Sequence, residues 1–123
     1  MLVLAAACSA AGFAADTFVS FRKAPDAKFP LATKGQVAAI VVDASEDAGV
    51  LMAVESLKAD IQSVTGVAPQ LLQTAAGECV IVGSYGTPLI QGLLKSGKIS
   101  KNELSGKTEK YLLQVVQKPL PGV

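Results

Sequence analysis

Two continuous apolar runs, each followed by a segment with helical spacing, most constrain the fold of this chain. The run "VAAIVVD" spans Val37 to Asp43, and "CVIVGS" begins at Cys79. β-branched runs without polar alternation are typical of strands buried on both faces of a sheet. Apolar strands that alternate with helices predict a layered α/β domain. We therefore expect a small two- or three-layer domain with a mixed, mostly parallel sheet and at least two helices.

The segment after the first run, "ASEDAGVLMAVESLKADIQSVTG", predicts the first helix. Its apolar residues recur at spacings of four and three, which places them on one face. They are Val50, Val54, Leu57, Ile61 and Val64. Ser45 is the expected N-cap, and Gly66 is expected to end the helix in the left-handed conformation. Glu46 and Asp47 then fall where the helix dipole favours negative charge.

The glycine turn "GSYGTP" and the segment "PLIQGLLKSGK" predict a second helix after the Cys79 run. Pro88 falls in its first turn, where a missing backbone donor costs nothing. Gly92 weakens this helix by about 1 kcal/mol relative to alanine, so we expect it to be short and held by packing. Its expected buried side consists of Leu89, Ile90, Leu93 and Leu94.

Three further segments have the composition of strands. "YLLQVVQ", Tyr111 to Gln117, predicts a third main strand in the same sheet as those of Val37 and Cys79. Short pieces at Phe18, in "TFVSF", and at Leu71, in "APQLLQ", are expected at the edges of the sheet, with antiparallel pairing as one option. The polar stretch before Tyr111 predicts a loop with a helical turn.

The composition excludes several classes of function. Half of the residues are hydrophobic and 17% are charged, which is too apolar for a disordered chain. The net charge is +1 and no window combines basic residues with aromatics, so we expect no nucleic-acid partner. Histidine and tryptophan are absent, which removes the commonest general base and metal ligand and the ring best suited to stacking on sugars.

The N-terminus, "MLVLAAACSAAGFAADTF", resembles the back half of a secretory signal peptide. Gly12 and Ala14 occupy the −3 and −1 positions of an export-protease site, and the apolar core is too short to span a membrane. We expect residues 1–15 to be the remnant of a longer leader, residues 16–123 to form the domain, and the protein to be exported to the periplasm or the extracellular space. A buried N-terminal helix and lipidation at Cys8 are the alternatives, although Leu4 lies one position too far upstream for a lipidation site.

The turn "GSYGTP" lacks the features of a nucleotide site. A phosphate loop needs a lysine directly after the second glycine, and the dinucleotide fingerprint needs a third glycine where Pro88 intervenes. Ser84 does not lie in a G-x-S-x-G elbow, and a serine triad needs a histidine. We therefore predict a structural turn, with Gly83 and Gly86 delivering a strand into a helix, and no cofactor.

The acidic residues predict neither a catalytic pair nor a metal site. From Asp43 onward they are Asp43, Glu46, Asp47, Glu55, Asp60, Glu78, Glu103 and Glu109. Capping or solubility explains each of them, and no cluster has metal-ligand spacing. Asp43 alone follows a central strand, where α/β sheets often place function. Tyr85 and Tyr111 have rings that can stack on a sugar, and Cys79 is expected to be a small buried hydrophobe outside any disulfide.

Four stretches of the chain resemble the N-terminal domain of glycoside hydrolase family 115. They are "FVSFRKAPDAKFPLA", "AAIVVDASEDAGVLMAVESLKADIQSVTGVAPQLL", "CVIVGSYGTPLIQGLLKSGKIS" and "LSGKTEKYLLQVV", which together cover nearly all of Thr17 to Val116. The domains that precede the barrel in family 20 hexosaminidases and family 67 α-glucuronidases are also similar. "FVSF" and "GKTEKYLLQVV" favour family 115.

The resemblance implies an accessory, non-catalytic domain of an exported α-glucuronidase that removes glucuronic acid or its methyl ether from xylan. In that family a catalytic barrel follows on the same polypeptide and is the domain's expected partner. No catalytic, substrate-binding or metal-binding residue of the family can be assigned to this chain, and the domain is expected to lack its last elements. A hexosaminidase-like accessory domain and a free-standing carbohydrate-binding module are the alternatives.

Overall fold

A computed structural model describes residues 29–101, 106 and 110–123. Within them lie five short strands and two helices. These are β1 (Ala32–Thr33), β2 (Gln36–Val37), β3 (Ala39–Val42), α1 (Ala48–Thr65), β4 (Leu71–Leu72), β5 (Cys79–Val82) and α2 (Pro88–Lys95). Because a parallel sheet is combined with two helices, the fold is the small α/β domain that the sequence predicts.

The main sheet has three parallel strands in the order β4-β3-β5. In register, Ile40 of β3 lies between Leu71 and Val80. The piece at Leu71 is therefore parallel, and the antiparallel option is wrong for it. Within the described part of the chain β5 pairs with β3 alone, so the Cys79 run lies at an edge there rather than at the centre. The predicted strand at Phe18 and the leader lie outside the described residues.

A hairpin of β1 and β2 precedes the sheet. Lys34 and Gly35 form its turn with φ values of 49° and 78°, and left-handed conformations at both positions are those of a tight type I′ hairpin. Val37 belongs to this antiparallel pair, and Asp43 lies beyond the end of β3. The predicted continuous strand from Val37 to Asp43 is thus shorter in the structure, because the chain passes from the hairpin into the sheet at Ala38.

The core lies between β3 and α1. Ile40 and Val41 are completely buried, as expected for a central parallel strand. Ile40 clusters with Val54 and Ile61 of α1. Burying such side chains contributes about 1.5–3 kcal/mol each, so this contact is the main attachment of α1 to the sheet.

α1 begins two residues later than expected and ends where expected. Its N-cap is Asp47, whose Oδ1 accepts a hydrogen bond from the Gly49 amide at 2.8 Å, so Ser45 as the N-cap is wrong. Gly66 ends the helix with φ 76°, and its amide donates to the Gln62 carbonyl. A residue with no Cβ adopts this left-handed conformation without strain.

The predicted apolar stripe of α1 is only partly buried. Val54 and Ile61 are buried, whereas Leu57 is 38% exposed and Val64 is 87% exposed. An 18-residue helix is about 27 Å long, and a four-residue strand covers about 13 Å. The helix is about twice as long as the strands beneath it, so the sheet covers only part of its length. With 3.6 residues per turn, Val64 is also rotated by about 80° from Val54 around the helix, to the margin of the buried face.

α2 matches its prediction closely. Pro88 occupies the first turn, and the helix is short, with eight residues. Ile90 and Leu93 are buried, while Leu89 and Leu94 are only half-buried. The short helix is therefore held mainly by two side chains on one face.

The predicted third strand, Tyr111 to Gln117, is not formed. The segment is irregular, and Tyr111 and Leu113 are 85% and 88% exposed. The amide of the Gln114 side chain donates to the Lys98 carbonyl at 3.3 Å, and Lys98 Nζ donates to the Gln117 carbonyl at 3.4 Å. These side-chain contacts replace the backbone ladder that a strand requires.

Among the described residues, no helix is both long and apolar enough to cross a membrane.

Candidate functional site

The carboxyl edge of the parallel sheet brings two loops together. Val42 and Val82 are partners in the register of β3 and β5, so the segments 43–47 and 83–87 leave the sheet side by side. Ligands of open α/β sheets bind at this edge. The residues of the two loops are therefore the first place to look for a site.

Glu46 joins the two loops. Its side chain is only 7% exposed, and both of its carboxylate oxygens accept hydrogen bonds from Ser84, which lies 38 residues later in the chain. The Ser84 hydroxyl donates to Oε2 at 2.8 Å, and the Ser84 amide donates to Oε1. A carboxylate held by two donors of one residue fixes the position of the second loop against the first.

The electrostatics of Glu46 favour an ionised acceptor. Burial raises the pKa of Glu46, but the hydrogen bonds from the Ser84 amide and hydroxyl, with that of the Asp47 amide, outweigh it. The pKa of Glu46 therefore lies below its ordinary value of 4.5. Because the carboxylate is ionised at neutral pH and both oxygens are engaged, Glu46 is suited to holding the loop and poorly suited to proton transfer.

The sequence does not predict this role of Glu46. Its position places Glu46 and Asp47 together in the first turn of α1, where the helix dipole favours negative charge. The structure separates them, since the shorter Asp47 caps the helix and the longer Glu46 turns inward. Two adjacent acids before a helix indicate that one of them is not the N-cap, because a helix has a single N-cap residue. Nothing in the spacing identifies Ser84 as the partner of Glu46.

Gly83 is the constrained glycine of the "GSYGTP" turn. A Cβ added there would lie 2.7 Å from Cγ1 of Ile90 and 3.1 Å from Oε1 of Glu46. At Gly86 an added Cβ would meet no atom within 4 Å. The first glycine therefore permits the close approach of α2 and Glu46 to the end of β5, and the second has no such packing role.

The rest of this turn is held by residues at the start of α2. Thr87 donates through Oγ1 to the Ser84 carbonyl at 2.9 Å, and Gln91 donates through Nε2 to the Tyr85 carbonyl at 2.6 Å. Both contacts are partly buried. Together with Glu46, they fix the turn through three side chains and two of its carbonyl groups.

Asp43 forms hydrogen bonds within its own loop. Its Oδ1 accepts from the Ser45 hydroxyl at 2.7 Å and from the Ser45 amide at 2.9 Å. The Ser45 hydroxyl and then the Ser45 amide lower the pKa of Asp43 below its ordinary value. Asp43, the candidate functional residue after β3, therefore stabilises a local turn in the loop that carries Glu46.

The other candidate side chains lie in separate elements. Tyr85 is half-buried in the fixed turn, whereas Tyr111 is exposed in the irregular C-terminal segment. Cys79 is half-buried in β5, and burial raises the pKa of its thiol, as expected of a small hydrophobe. Cys8, Glu103 and Glu109 lie outside the described residues.

Two shallow grooves lie at the opposite, amino edge of the sheet. The larger has a volume of about 370 Å³ and no titratable side chain in its wall. It is lined by Gln36, Val37, Ala39, Val67, Ala68 and Gln70. The smaller, of about 210 Å³, shares Gln36 and Val37 and adds Glu78. Neither groove includes the site where Glu46 contacts Ser84 and Gly83, which we call the Glu46 corner. No group of three potential metal ligands occurs in the part of the chain that the structure describes.

Comparison with known proteins gives no match: neither a protein-family model nor a curated protein matches this chain.

Proposed function

We propose that the chain is the accessory N-terminal domain of an exported glycoside hydrolase of the family 115 type, acting on glucuronoxylan. The full enzyme would remove glucuronic acid or 4-O-methylglucuronic acid side chains. This domain would supply packing and stability to a catalytic barrel on the same polypeptide.

The contact between Glu46 and Ser84 is the observation that carries this proposal. Glu46 belongs to "VVDASEDAGVLMAVESLKADI" and Ser84 belongs to "VIVGSYGTPLI", the two stretches of the described chain in which the family resemblance is strongest. Their carboxylate–amide and carboxylate–hydroxyl hydrogen bonds join these stretches at one corner. These contacts give both stretches a structural role at that corner and use the carboxylate of Glu46 without proton transfer.

The chemistry of the described acids supports a non-catalytic role. Glycoside hydrolysis by paired carboxylates needs two acids that face each other across a pocket. At the carboxyl edge of the sheet, Glu46 is engaged with Ser84 and Asp43 with Ser45. We therefore assign hydrolysis to the barrel that would follow Val123.

The coding sequence downstream of Val123, followed by an assay of the encoded protein, tests the proposal. We expect a barrel with paired acids, and release of uronic acid from glucuronoxylan by the full protein but not by the 123-residue chain. An unrelated downstream sequence, or uronic acid release by the 123-residue chain itself, would contradict the proposal.

The exposure of Tyr111 favours a second candidate, a free-standing carbohydrate-binding module. An aromatic ring that is 85% exposed can stack on a sugar face. In that case the 123-residue chain would bind xylan oligosaccharides and Tyr111→Ala would abolish binding. Titration calorimetry that detects no binding by the parent chain removes this candidate.

A further inference from the structure

The helix α2 packs apart from the core that joins β3 to α1. Its two buried side chains, Ile90 and Leu93, are 7% and 5% exposed. Among the described residues, neither belongs to the buried cluster between the sheet and α1. That cluster consists of Ile40, Val42, Val54 and Ile61. The burial of α2 and the attachment of α1 to the sheet are therefore separate pieces of packing.

The local sequence contributes little to the stability of α2. The helix Pro88–Lys95 has eight residues, and an isolated helix of that length is not stable in water. Gly92 lies in its interior, where glycine is less favourable than alanine. Its N-cap, Thr87, makes no side-chain hydrogen bond to the first turn. Because its own backbone stabilises it so little, α2 depends on the burial of Ile90 and Leu93.

The turn before α2 is anchored by residues outside the helix. Ser84 donates two hydrogen bonds to Glu46, and Thr87 donates through Oγ1 to the Ser84 carbonyl at 2.9 Å. These bonds involve no residue of α2, so they can persist when α2 moves. Thr87 is the last residue that they hold, which places a hinge between Thr87 and Pro88.

The helix contacts this turn through Ile90 and Gln91. A Cβ at Gly83 would lie 2.7 Å from Cγ1 of Ile90, so this side chain lies directly against the turn. Gln91 donates through Nε2 to the Tyr85 carbonyl at 2.6 Å, and its amide donates to the Thr87 carbonyl. Release of α2 breaks these contacts but leaves the pairing of β3 with β4 and β5 in place.

We propose that α2 is a hinged lid at the carboxyl edge of the sheet, which opens as a unit while the sheet, α1 and the Glu46 corner stay folded. Elements with few buried apolar side chains open at a lower free energy than the core of a domain. Opening uncovers Ile90 and Leu93 at the edge where ligands of α/β sheets bind, and so creates an apolar surface that the closed domain does not present. This inference concerns the domain itself and does not depend on a downstream barrel.

Two matched substitutions separate the lid from the core. Ile61 in α1 and Ile90 in α2 are both 7% exposed, and replacement of either by valine removes one buried methylene group. Ile90→Val weakens packing that only the closed lid makes. Ile61→Val weakens the contact between α1 and the sheet, which is present whether the lid is closed or open.

Amide hydrogen exchange of the 123-residue chain, resolved to single residues, tests the inference. In the parent chain we expect residues 91–96 to exchange at least about tenfold faster than Ile40 to Val42, after correction for intrinsic rates. Ile90→Val should accelerate exchange of residues 91–96 by about two- to tenfold. Ile61→Val should accelerate exchange of Ile40 to Val42 by a similar factor and leave that of residues 91–96 unchanged.

Three results would overturn the inference. Equal exchange of residues 91–96 and of β3 in the parent chain would make α2 part of one cooperative unit with the sheet. Equal acceleration of residues 91–96 by the two substitutions would lead to the same conclusion. If Ile90→Val did not accelerate their exchange, Ile90 would not hold the lid closed. Each variant loses a single methylene group, so both are expected to fold.

Discussion

The Glu46 corner, formed by Glu46, Ser84 and Gly83, and the Tyr111 row, formed by the exposed side chains of Tyr111, Leu113 and Val115, depart from the sequence predictions in opposite directions. A carboxylate expected at the start of a helix is buried, whereas a segment expected as a strand of the sheet is exposed. At the corner, Glu46 is buried, both of its carboxylate oxygens accept hydrogen bonds from Ser84, and Gly83 leaves room for the contact. In the row, Leu113 has almost all of its surface exposed. Burial therefore depends on a partner at the right position, and residue type alone does not supply one.

Substitution in the core gives the largest expected contrast between the buried sheet and the row. Ile40→Ala should lower the free energy of unfolding of the 123-residue chain by about 2–5 kcal/mol, because it removes a completely buried side chain and leaves a cavity. Leu113→Ala should change it by less than about 0.5 kcal/mol. Urea denaturation measures both, and similar losses would show that the row is part of the core.

The two glycines of the turn give the next contrast. Gly83→Ala should destabilise the chain by about 1–3 kcal/mol, since its Cβ would overlap Ile90 and crowd Glu46. Gly86→Ala, where the new Cβ would meet nothing, should be neutral or stabilise by up to about 1 kcal/mol. Equal effects in thermal unfolding would contradict the close approach at Gly83.

Removal of the carboxylate of Glu46 tests the link between the two loops. Glu46→Gln should cost about 1–2 kcal/mol, because Ser84 loses a charged acceptor. Glu55→Gln is the control, since Glu55 forms a surface pair with Lys58 at 3.4 Å that is worth less than about 0.5 kcal/mol. Urea denaturation measures both losses of unfolding free energy. If Glu55→Gln loses as much as Glu46→Gln, the contact between Glu46 and Ser84 contributes no more to stability than a surface ion pair.

A fall in pH should weaken the stabilisation that Glu46 contributes to the folded chain, and this effect is the smallest of those expected. Its pKa is lower in the folded state than its ordinary value of 4.5, so its stabilisation is complete above that value and is lost as pH falls through the lowered pKa. The difference in stability between the parent and Glu46→Gln should therefore shrink as pH falls below about 4.5. A difference that grows on acidification would give the opposite sign for the shift.

The sequence predicts those elements whose partners are local or adjacent. Pro88 and Gly66 mark helix ends through backbone chemistry within a few residues, and both ends are confirmed. The Cys79 run is confirmed as a strand because β3 lies beside it, and the parallel pairing brings their ends together.

The predictions that fail depend on distant partners. Tyr111 to Gln117 has the composition of a strand, but a strand forms only where a neighbouring strand completes its ladder. Val64 follows the helical period, but it lies at the margin of the face that packs on the sheet and is exposed. The position of Glu46 predicts only a role at the start of α1, because its partner, Ser84, lies 38 residues away and no local spacing reports such a contact.

Amide hydrogen exchange of the 123-residue chain measures whether the sheet and the Glu46 corner are held by their own contacts while the Tyr111 row is exposed. We expect the amides of Ile40 to Val42 and of Ser84 to exchange slowly, near the rate set by global unfolding, and those of residues 111–116 to exchange close to the rate of an open chain. Slow exchange of residues 111–116, at the rate of β3, would contradict this expectation.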